Sequence, residues 1–313
     1  CGVNEDVFGF GFLNPNTGDI TGFYVDLCRA VATAVQGDPA ALDLRLYPYG
    51  GAQRALLTGE VDLLFDHGLA RTLSADAVSG LEYGPTIFLD GLSVMSRFEV
   101  GLLTWEDLDG LSICVVAGSA QDALKAALDS RAVSYELVAA ASIAEMYAAF
   151  EAGRCSAQVA DRSLLEIRRS SADPAGFVVW ETPFTQTARG PVYRYGDEQW
   201  ADIVNWTLWG LIQAEALGIT GDNIGTFLRA ANENDAAYTA RVGLPVAALV
   251  DPVLGVGDRL GLAKDFMVNV IRRVGNYGDI YDRNLGLESS LPIVRGINAL
   301  SRDGGLLDSP PWR

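Results

Sequence analysis

Four cysteines and a single histidine are the residues whose chemistry is most distinctive in this chain. The cysteines are Cys1, Cys28, Cys114 and Cys155, and none of them forms a Cys-x-x-Cys pair. Because a structural zinc site needs closely spaced cysteine or histidine ligands, the pattern argues against a metal site. An even number of widely spaced cysteines indicates two disulfides formed in an oxidising compartment. Cysteine number alone leaves three pairings open.

Sequence motifs for enzyme chemistry are missing. The chain has no Gly-x-Ser-x-Gly, no metal-ligand cluster and no phosphate-binding loop.

Acidic residues outnumber basic ones by 40 to 23, which gives a net charge of −17. A chain this acidic is repelled by nucleic-acid phosphates, so nucleic-acid binding is excluded. We therefore expect a binding protein that is not an enzyme and carries no cofactor.

The elements that position the polar residues alternate between strands and helices. The spacing of apolar residues predicts helices over 23–35, 52–57, 119–128 and 142–151. It predicts short strands over 42–47, 61–65, 112–117, 135–139 and 157–160. This rhythm indicates an α/β fold with mostly parallel sheets. Ser119 is the predicted N-cap of its helix. From residue 197 onward the pattern is helical, with helices over 200–216 and 264–274 and a loop over 245–257.

The α/β rhythm restarts after Thr104, and two extended stretches flank the second block at 90–96 and 190–195. With 313 residues, the chain is long enough for two lobes. Two similar α/β units with two extended crossings suggest a hinged clamshell. We expect lobe 1 to comprise 1–93 and 194–313, with extra C-terminal helices, and lobe 2 to comprise 94–193.

Motifs spread over the whole chain resemble a known family. Gly22-Phe23-Tyr24-Val25-Asp26-Leu27-Cys28-Arg29-Ala30-Val31-Ala32 resembles the Gly-Phe-Asp-Val-Asp-x-Cys-Arg-Ala-Val-Ala signature of the general L-amino-acid ABC-transporter binding proteins, solute-binding family 3. Similar motifs include Gly275-Asn276-Tyr277-Gly278 and Arg295-Gly296-Ile297-Asn298-Ala299-Leu300. The resemblance implies a periplasmic-binding-protein-like clamshell of type II. It also implies the disulfides Cys1–Cys28 and Cys114–Cys155, one in each lobe.

The resemblance also implies a function and its partners. The chain would be the periplasmic, monomeric substrate-binding component of an amino-acid ABC transporter. Its two lobes would close on a small polar solute, and the closed form would dock on a permease in the inner membrane.

The expected head-group site is rewritten in lobe 1. The family's carboxylate-binding arginine corresponds to Ala75, and its asparagine corresponds to Gly68. Burying a carboxylate against Ala75 without a partner costs several kcal/mol. Either the solute lacks a standard α-carboxylate, which we favour, or Arg71 or His67 binds the carboxylate from a new position.

The predicted ligand contacts come from both lobes. In lobe 1 they are the aromatic wall Phe12 and the segment with Asp66, His67, Gly68, Arg71 and Thr72. In lobe 2 they are Ser119 and Ala120, at a helix N-terminus, and Asp161, which matches the family's ammonium-binding aspartate. Asp161 is also suited to be the N-cap of the helix that follows.

Two other functions are compatible with the same fold. One is an enzyme of the cyclohexadienyl dehydratase type, with Asp66 or His67 as the general acid. The other is an adaptor that has lost its ligand, which the changed head-group positions suggest.

Overall fold

The computed structural model describes residues 1–70 and 80–312. The described chain divides into two compact units. Unit 1 comprises residues 1–88, 189–289 and 297–313, and unit 2 comprises residues 89–188 and 290–296. The divisions at 88/89 and 188/189 fall a few residues before the expected 93/94 and 193/194. Within the described residues, no helix is long and apolar enough to cross a membrane.

The two units together contain fifteen short strands. They are β1 (Gly2–Asn4), β2 (Asp6–Val7), β3 (Gly11–Leu13), β4 (Ile20–Thr21), β5 (Arg45–Tyr47), β6 (Leu64–Phe65), β7 (Leu81–Tyr83), β8 (Phe88–Asp90), β9 (Leu92–Arg97), β10 (Leu111–Val116), β11 (Tyr135–Ala140), β12 (Ala157–Asp161), β13 (Phe177–Val179), β14 (Thr187–Arg189) and β15 (Val192–Arg194), counted over the described residues.

Helices connect the strands and form the C-terminal third. The described α-helices are α1 (Phe23–Gln36), α2 (Gln53–Thr58), α3 (Ser119–Asp129), α4 (Ile143–Glu151), α5 (Arg162–Ala172), α6 (Glu198–Ala216), α7 (Asp235–Val242), α8 (Leu244–Val250), α9 (Phe266–Val274) and α10 (Tyr277–Leu285). α1 packs on α6, α9 and α10, so the C-terminal helices extend the core of unit 1.

Each unit is built on a five-stranded sheet with the same pairing pattern. In unit 1 the order is β5-β1-β6-β15-β7. The first three strands are parallel, and β15 runs antiparallel to β6 and β7. In unit 2 the order is β11-β10-β12-β9-β13, with three parallel strands followed by the antiparallel β9 and its antiparallel neighbour β13. The predicted α/β fold is confirmed, but the prediction of mostly parallel sheets is wrong, because each five-stranded sheet has two parallel and two antiparallel pairs.

The chain passes between the units in paired strands. The crossing strands β8 and β14 form a two-stranded sheet of their own. Unit 2 also contains residues 290–296, although everything after 194 was expected in lobe 1. Within unit 2, Arg162 Nη1 on α5 donates a hydrogen bond of 3.2 Å to the carbonyl oxygen of Val294 in this stretch. We call residues 290–296 the strap.

One disulfide lies in each unit. Cys1 is bonded to Cys28 on α1, and Cys114 on β10 is bonded to Cys155, which precedes β12. Each bridge therefore fastens a central strand of its sheet to a neighbouring element. In the chain-entropy model, loops of this length each contribute about 3–4 kcal/mol to stability.

Two local predictions differ from the structure. Residues 245–257 were predicted to be a loop. The prediction is wrong for 245–250, because α8 begins at Leu244, ends at Val250 and has Pro245 in its first turn, and it is confirmed for 251–256. A proline is compatible with that position because the first N–H groups of a helix have no partner within the helix. Ser119 was predicted to be an N-cap, but Gly118 takes that position with φ 107°, where a residue without Cβ is favoured.

Candidate functional site

The candidate residues of unit 1 meet at one edge of its sheet. β1 and β6 are parallel neighbours, with Val3 opposite Phe65. Their carboxyl ends therefore bring Asn4 and Asp66 to the same level. Ligands of open α/β sheets bind at the carboxyl ends of the strands, so this edge is where a solute is expected.

Asp66 is held by the protein itself. Its Oδ1 accepts hydrogen bonds from Asn4 Nδ2 (3.0 Å), Gly50 N (3.0 Å) and Gly68 N (2.8 Å), and its Oδ2 accepts one from Ala52 N (3.4 Å). Only 4% of the residue is exposed. The carboxylate organises the loop because its oxygens accept from these four donors. The contact between Asp66 and a ligand stays a prediction.

His67 points into an aromatic core. Its ring is fully buried, with the centroid 4.4 Å from that of Phe10 and Nδ1 2.9 Å from the hydroxyl oxygen of Tyr24. The His67 backbone N–H donates to Asn4 Oδ1 at 2.8 Å. The ring has no exposed surface, which counts against a contact between this side chain and a solute, against His67 as a substitute for the lost arginine and against His67 as a general acid. The ligand contact of His67 stays a prediction.

Gly68 is required by close packing. A Cβ on Gly68 would lie 2.6 Å from both Cα and N of Gly50. Its backbone, unlike the side chains before it, is half-buried and remains a candidate contact. Glycine at the family's asparagine position is therefore required because this loop packs directly against the backbone of Gly50.

Phe12 keeps part of its ring exposed. It lies on β3, opposite Asp6 and Thr21 in a small antiparallel sheet. Its ring packs edge-to-face on Phe8, with centroids 5.2 Å apart. The half-buried ring is compatible with the aromatic wall that the resemblance implies.

Arg71, Thr72 and Ala75 lie outside the described residues. Immediately before them, the carbonyl oxygen of Leu69 accepts a hydrogen bond of 3.1 Å from Arg189 Nη1. Arg189 is 4% exposed and was not among the predicted site residues. Its one signal in the sequence is its position directly before the extended stretch 190–195.

In unit 2, the candidate residues also share one sheet edge. β10 and β12 are parallel neighbours, with Val115 opposite Val159. Ser119 and Asp161 follow the carboxyl ends of these two strands, so the structure brings them to the same edge. Ser119 is exposed at the start of α3, whereas Ala120 packs against the apolar core. The N-terminus of α3 offers unpaired N–H groups to a polar solute.

Asp161 is the last residue of β12 and the N-cap of α5. Its side chain makes no capping hydrogen bond to that helix. The prediction that Asp161 is the N-cap residue of the following helix is therefore correct for its position in the chain. It is wrong for the side chain, which does not bond to the helix N-terminus. The residue is half-buried, which suits a carboxylate that meets a charged solute.

The described residues contain no group of three or more His, Cys, Asp or Glu side chains that could hold a metal ion. A shifted pKa is found on α5, at Glu166. Burial raises the pKa of this carboxyl, and Arg169, which donates to Glu166 Oε2 at 2.8 Å, opposes the effect.

The comparisons with known proteins agree with this architecture. No protein-family model matches the chain. The chain is 34% identical to the general L-amino acid-binding periplasmic protein AapJ of Rhizobium johnstonii, over 100% of this chain and 89% of that protein. It is 33% identical to the glutamate/glutamine/aspartate/asparagine-binding protein BztA of Rhodobacter capsulatus, over 100% and 90% respectively.

A solved structure is similar over the same length. The ABC transporter periplasmic binding protein from Brucella ovis, with glutathione bound, has a TM-score of 0.82 and 34% identity, covering 100% of this chain and 95% of that one. Two α/β units joined by paired crossing strands thus define a two-lobed solute-binding protein. The chain belongs to the periplasmic binding proteins of amino-acid ABC transporters.

Proposed function

We propose that this chain delivers a small amine-bearing solute of the γ-glutamyl peptide class, such as glutathione, to an ABC permease. The observation that carries the proposal is the place of Asp161, a half-buried carboxylate at the carboxyl end of β12, at the same sheet edge as Ser119. A carboxylate at this place can accept charge-assisted hydrogen bonds from an ammonium group. The exposed Ser119 at the start of α3 adds a hydroxyl and helix N–H groups for the polar remainder of the solute.

The changed head-group position indicates that a solute carboxylate, including the α-carboxylate of glutathione, has to be bound by a group other than residue 75. Ala75 stands where the family's carboxylate-binding arginine is expected, and the described neighbours Asp66 and His67 are committed to internal contacts. The similar Brucella ovis protein has glutathione bound, a solute larger than an amino acid. The relatives AapJ and BztA are named for amino acids, which makes amino acids the competing solutes.

Calorimetry tests the proposal directly. Purified protein, unfolded and refolded to remove carried-over solute, is titrated with glutathione, with the common L-amino acids and with simple polyamines. We expect glutathione to bind and Asp161→Asn to weaken it about tenfold or more, because a charge-assisted bond is lost. Tight binding of a common L-amino acid, without binding of glutathione, would contradict the proposed solute. No binding of any probe would favour the adaptor.

We also propose that the protein acts by binding and not by turnover. The general-acid candidates of the enzyme alternative were Asp66 and His67, and both are buried in internal contacts. Incubation with prephenate or arogenate, followed by chromatography, is expected to return the substrate unchanged. Turnover that is abolished by Asp66→Asn would instead establish the enzyme.

A further inference from the structure

We propose that a cavity on unit 2 is a second binding site, which takes an organic cation with a flat apolar body, such as an arylalkylamine. The cavity has a volume of about 700 Å³, which is within the range of small-molecule sites in proteins. None of the predicted ligand contacts of unit 2, which are Ser119, Ala120 and Asp161, lines it. The inference therefore goes beyond the proposed function and does not depend on the solute proposed there.

Three aromatic rings form the wall of this cavity. The Trp105 ring lies edge-to-face against Trp180, with the centroids 5.1 Å apart and an interplanar angle of 81°. It meets Phe184 in the same way, at 5.2 Å and 75°. All three side chains are half-buried. Because the rings stand nearly at right angles, they offer an apolar occupant contacts in more than one direction.

Backbone groups hold two of these rings, so the wall is formed before a ligand arrives. Trp180 Nε1 donates to the carbonyl oxygen of Leu102 at 2.9 Å, and Trp180 N donates to that of Val94 at 2.9 Å. Phe184 N donates to the carbonyl oxygen of Leu92 at 2.8 Å. Binding to groups that are already ordered costs little conformational entropy, which favours affinity.

The charges around the cavity decide which kind of apolar molecule fits it. Glu106 and Glu181 line the cavity, are exposed, and make no ion pair or hydrogen bond within the described part of the chain. Asp107 lies next to Glu106, and its Oδ2 accepts a hydrogen bond from Thr104 N at 2.8 Å. Arg131 is the basic residue among the described lining side chains. Carboxylates outnumber cations here, so a cationic ligand is favoured over an anionic one.

Arg131 shows that these rings accept a cation. Its Cζ lies 4.4 Å from the centroid of the Trp105 ring, which is a cation–π contact. Arg131 Nη1 also donates to the carbonyl oxygen of Ala127 at 2.7 Å. The charge of Arg131 opposes the entry of another cation. Removal of the glutamate charges should therefore weaken the binding of a cation, and removal of the Arg131 charge should strengthen it.

The test uses three probes that share a phenyl ring and differ in charge: phenethylamine, phenethyl alcohol and phenylpropionate. Fluorine NMR of protein labelled with fluorotryptophan gives a local readout, because two of the six tryptophans, Trp105 and Trp180, line the cavity. Trp105→Phe and Trp180→Phe assign their resonances. We expect phenethylamine to shift both resonances saturably and to bind about fivefold more tightly than phenethyl alcohol, with phenylpropionate the weakest.

Charge variants test the sign of the effect. Glu106→Gln and Glu181→Gln are each expected to weaken phenethylamine about two- to fivefold, and Arg131→Gln to strengthen it by a similar factor, because interactions of exposed charges are small. Glu99→Gln is the control, since Glu99 is exposed on unit 2 but does not line the cavity. Phe184→Leu keeps an apolar side chain without a π face and should reduce the preference for the amine over the alcohol.

Several results would overturn the inference. Phenylpropionate binding more tightly than phenethylamine would make this an anion site. If no probe shifts the resonances of Trp105 and Trp180, the cavity is not a binding site. Glutamate variants that bind phenethylamine as well as Glu99→Gln does would contradict the role of charge. Because the readout is local to the cavity, failure here leaves the proposed function standing, and failure of glutathione to bind leaves this inference standing.

Discussion

Asn4 and Asp66 are joined by a buried hydrogen bond of 3.0 Å from Asn4 Nδ2 to Asp66 Oδ1. The other end of the same amide, Asn4 Oδ1, accepts from His67 N. One side chain at the end of β1 thus fixes both residues that follow β6. The edge of the sheet in unit 1 is organised by these internal bonds before any solute arrives.

Removal of the Asp66 carboxylate is expected to destabilise this edge. In Asp66→Ala, Asn4 Nδ2 and the N–H groups of Gly50 and Gly68 lose their acceptor, so the free energy of unfolding should fall by about 1–3 kcal/mol or more. Urea unfolding measures the change. Asp62→Ala is the control, because Asp62 is exposed and pairs with Arg194 at the surface; a change there of about 0–1 kcal/mol is expected. Equal effects of both variants would contradict the structural role of Asp66.

Gly68→Ala tests the close packing of the same loop against the backbone of Gly50. The new Cβ would be 2.6 Å from the backbone of Gly50, which cannot give way as a side chain could. Overpacking of this kind is expected to cost about 1–3 kcal/mol in thermal unfolding. Gly225→Ala is the matched control, because a Cβ there meets nothing within 4 Å. A Gly68→Ala protein as stable as the control would show that the loop can move away from Gly50.

Glu233 is expected to make stability fall in acid. A hydrogen bond from Arg241 and a smaller contribution from the bond of Ala230 N together lower the pKa of this carboxyl from 4.5 to about 2. The unfolded chain therefore binds the proton more readily, and the stability that Glu233 contributes is present above pH 4.5. It is lost as the pH falls from 4.5 towards 2.

Melting curves between pH 2 and 6 measure this effect. Glu233→Gln is expected to flatten the decline relative to the unchanged protein. Glu288→Gln, at an exposed position, serves as the control and should leave the curve unchanged. An identical decline in Glu233→Gln would show that other carboxyls are responsible.

The two disulfides are expected to contribute similar stability. The bridge of unit 1 spans 27 residues and that of unit 2 spans 41. Because the closure entropy grows only with the logarithm of loop length, the two contributions differ by only ~0.4 kcal/mol in the entropic model. The double variants Cys1→Ser/Cys28→Ser and Cys114→Ser/Cys155→Ser, compared in urea unfolding, should each lose about 3–4 kcal/mol. A large difference between them would show that the bridges act through the folded state.

Much of the architecture could be predicted from sequence patterns. Short apolar or alternating segments identified the parallel strands, because a strand that is buried on one or both faces needs apolar residues at the buried positions. Residues 245–250 were misjudged since proline and glycine were taken as breakers, whereas Pro245 occupies the one turn of a helix that tolerates it. Spacing alone does not distinguish that first turn from a loop.

The site was harder to predict than the fold. A motif locates Asp66 and His67 at the sheet edge but does not say which way their side chains face. Their orientation depends on Asn4, which is 62 residues from Asp66 in the sequence. Long-range hydrogen bonds decide such roles, and no local pattern records them.

The strap has a consequence for how this protein can be recombined. Unit 2 is assembled from two separate stretches of the gene product, 89–188 and 290–296, and Arg162 reaches across to Val294 to join them. A chimaera that exchanges only residues 89–188 with a relative would combine that segment of one protein with the strap of the other. We therefore expect the chimaera to acquire the solute preference of the donor only when residues 89–188 and 290–296 are exchanged together.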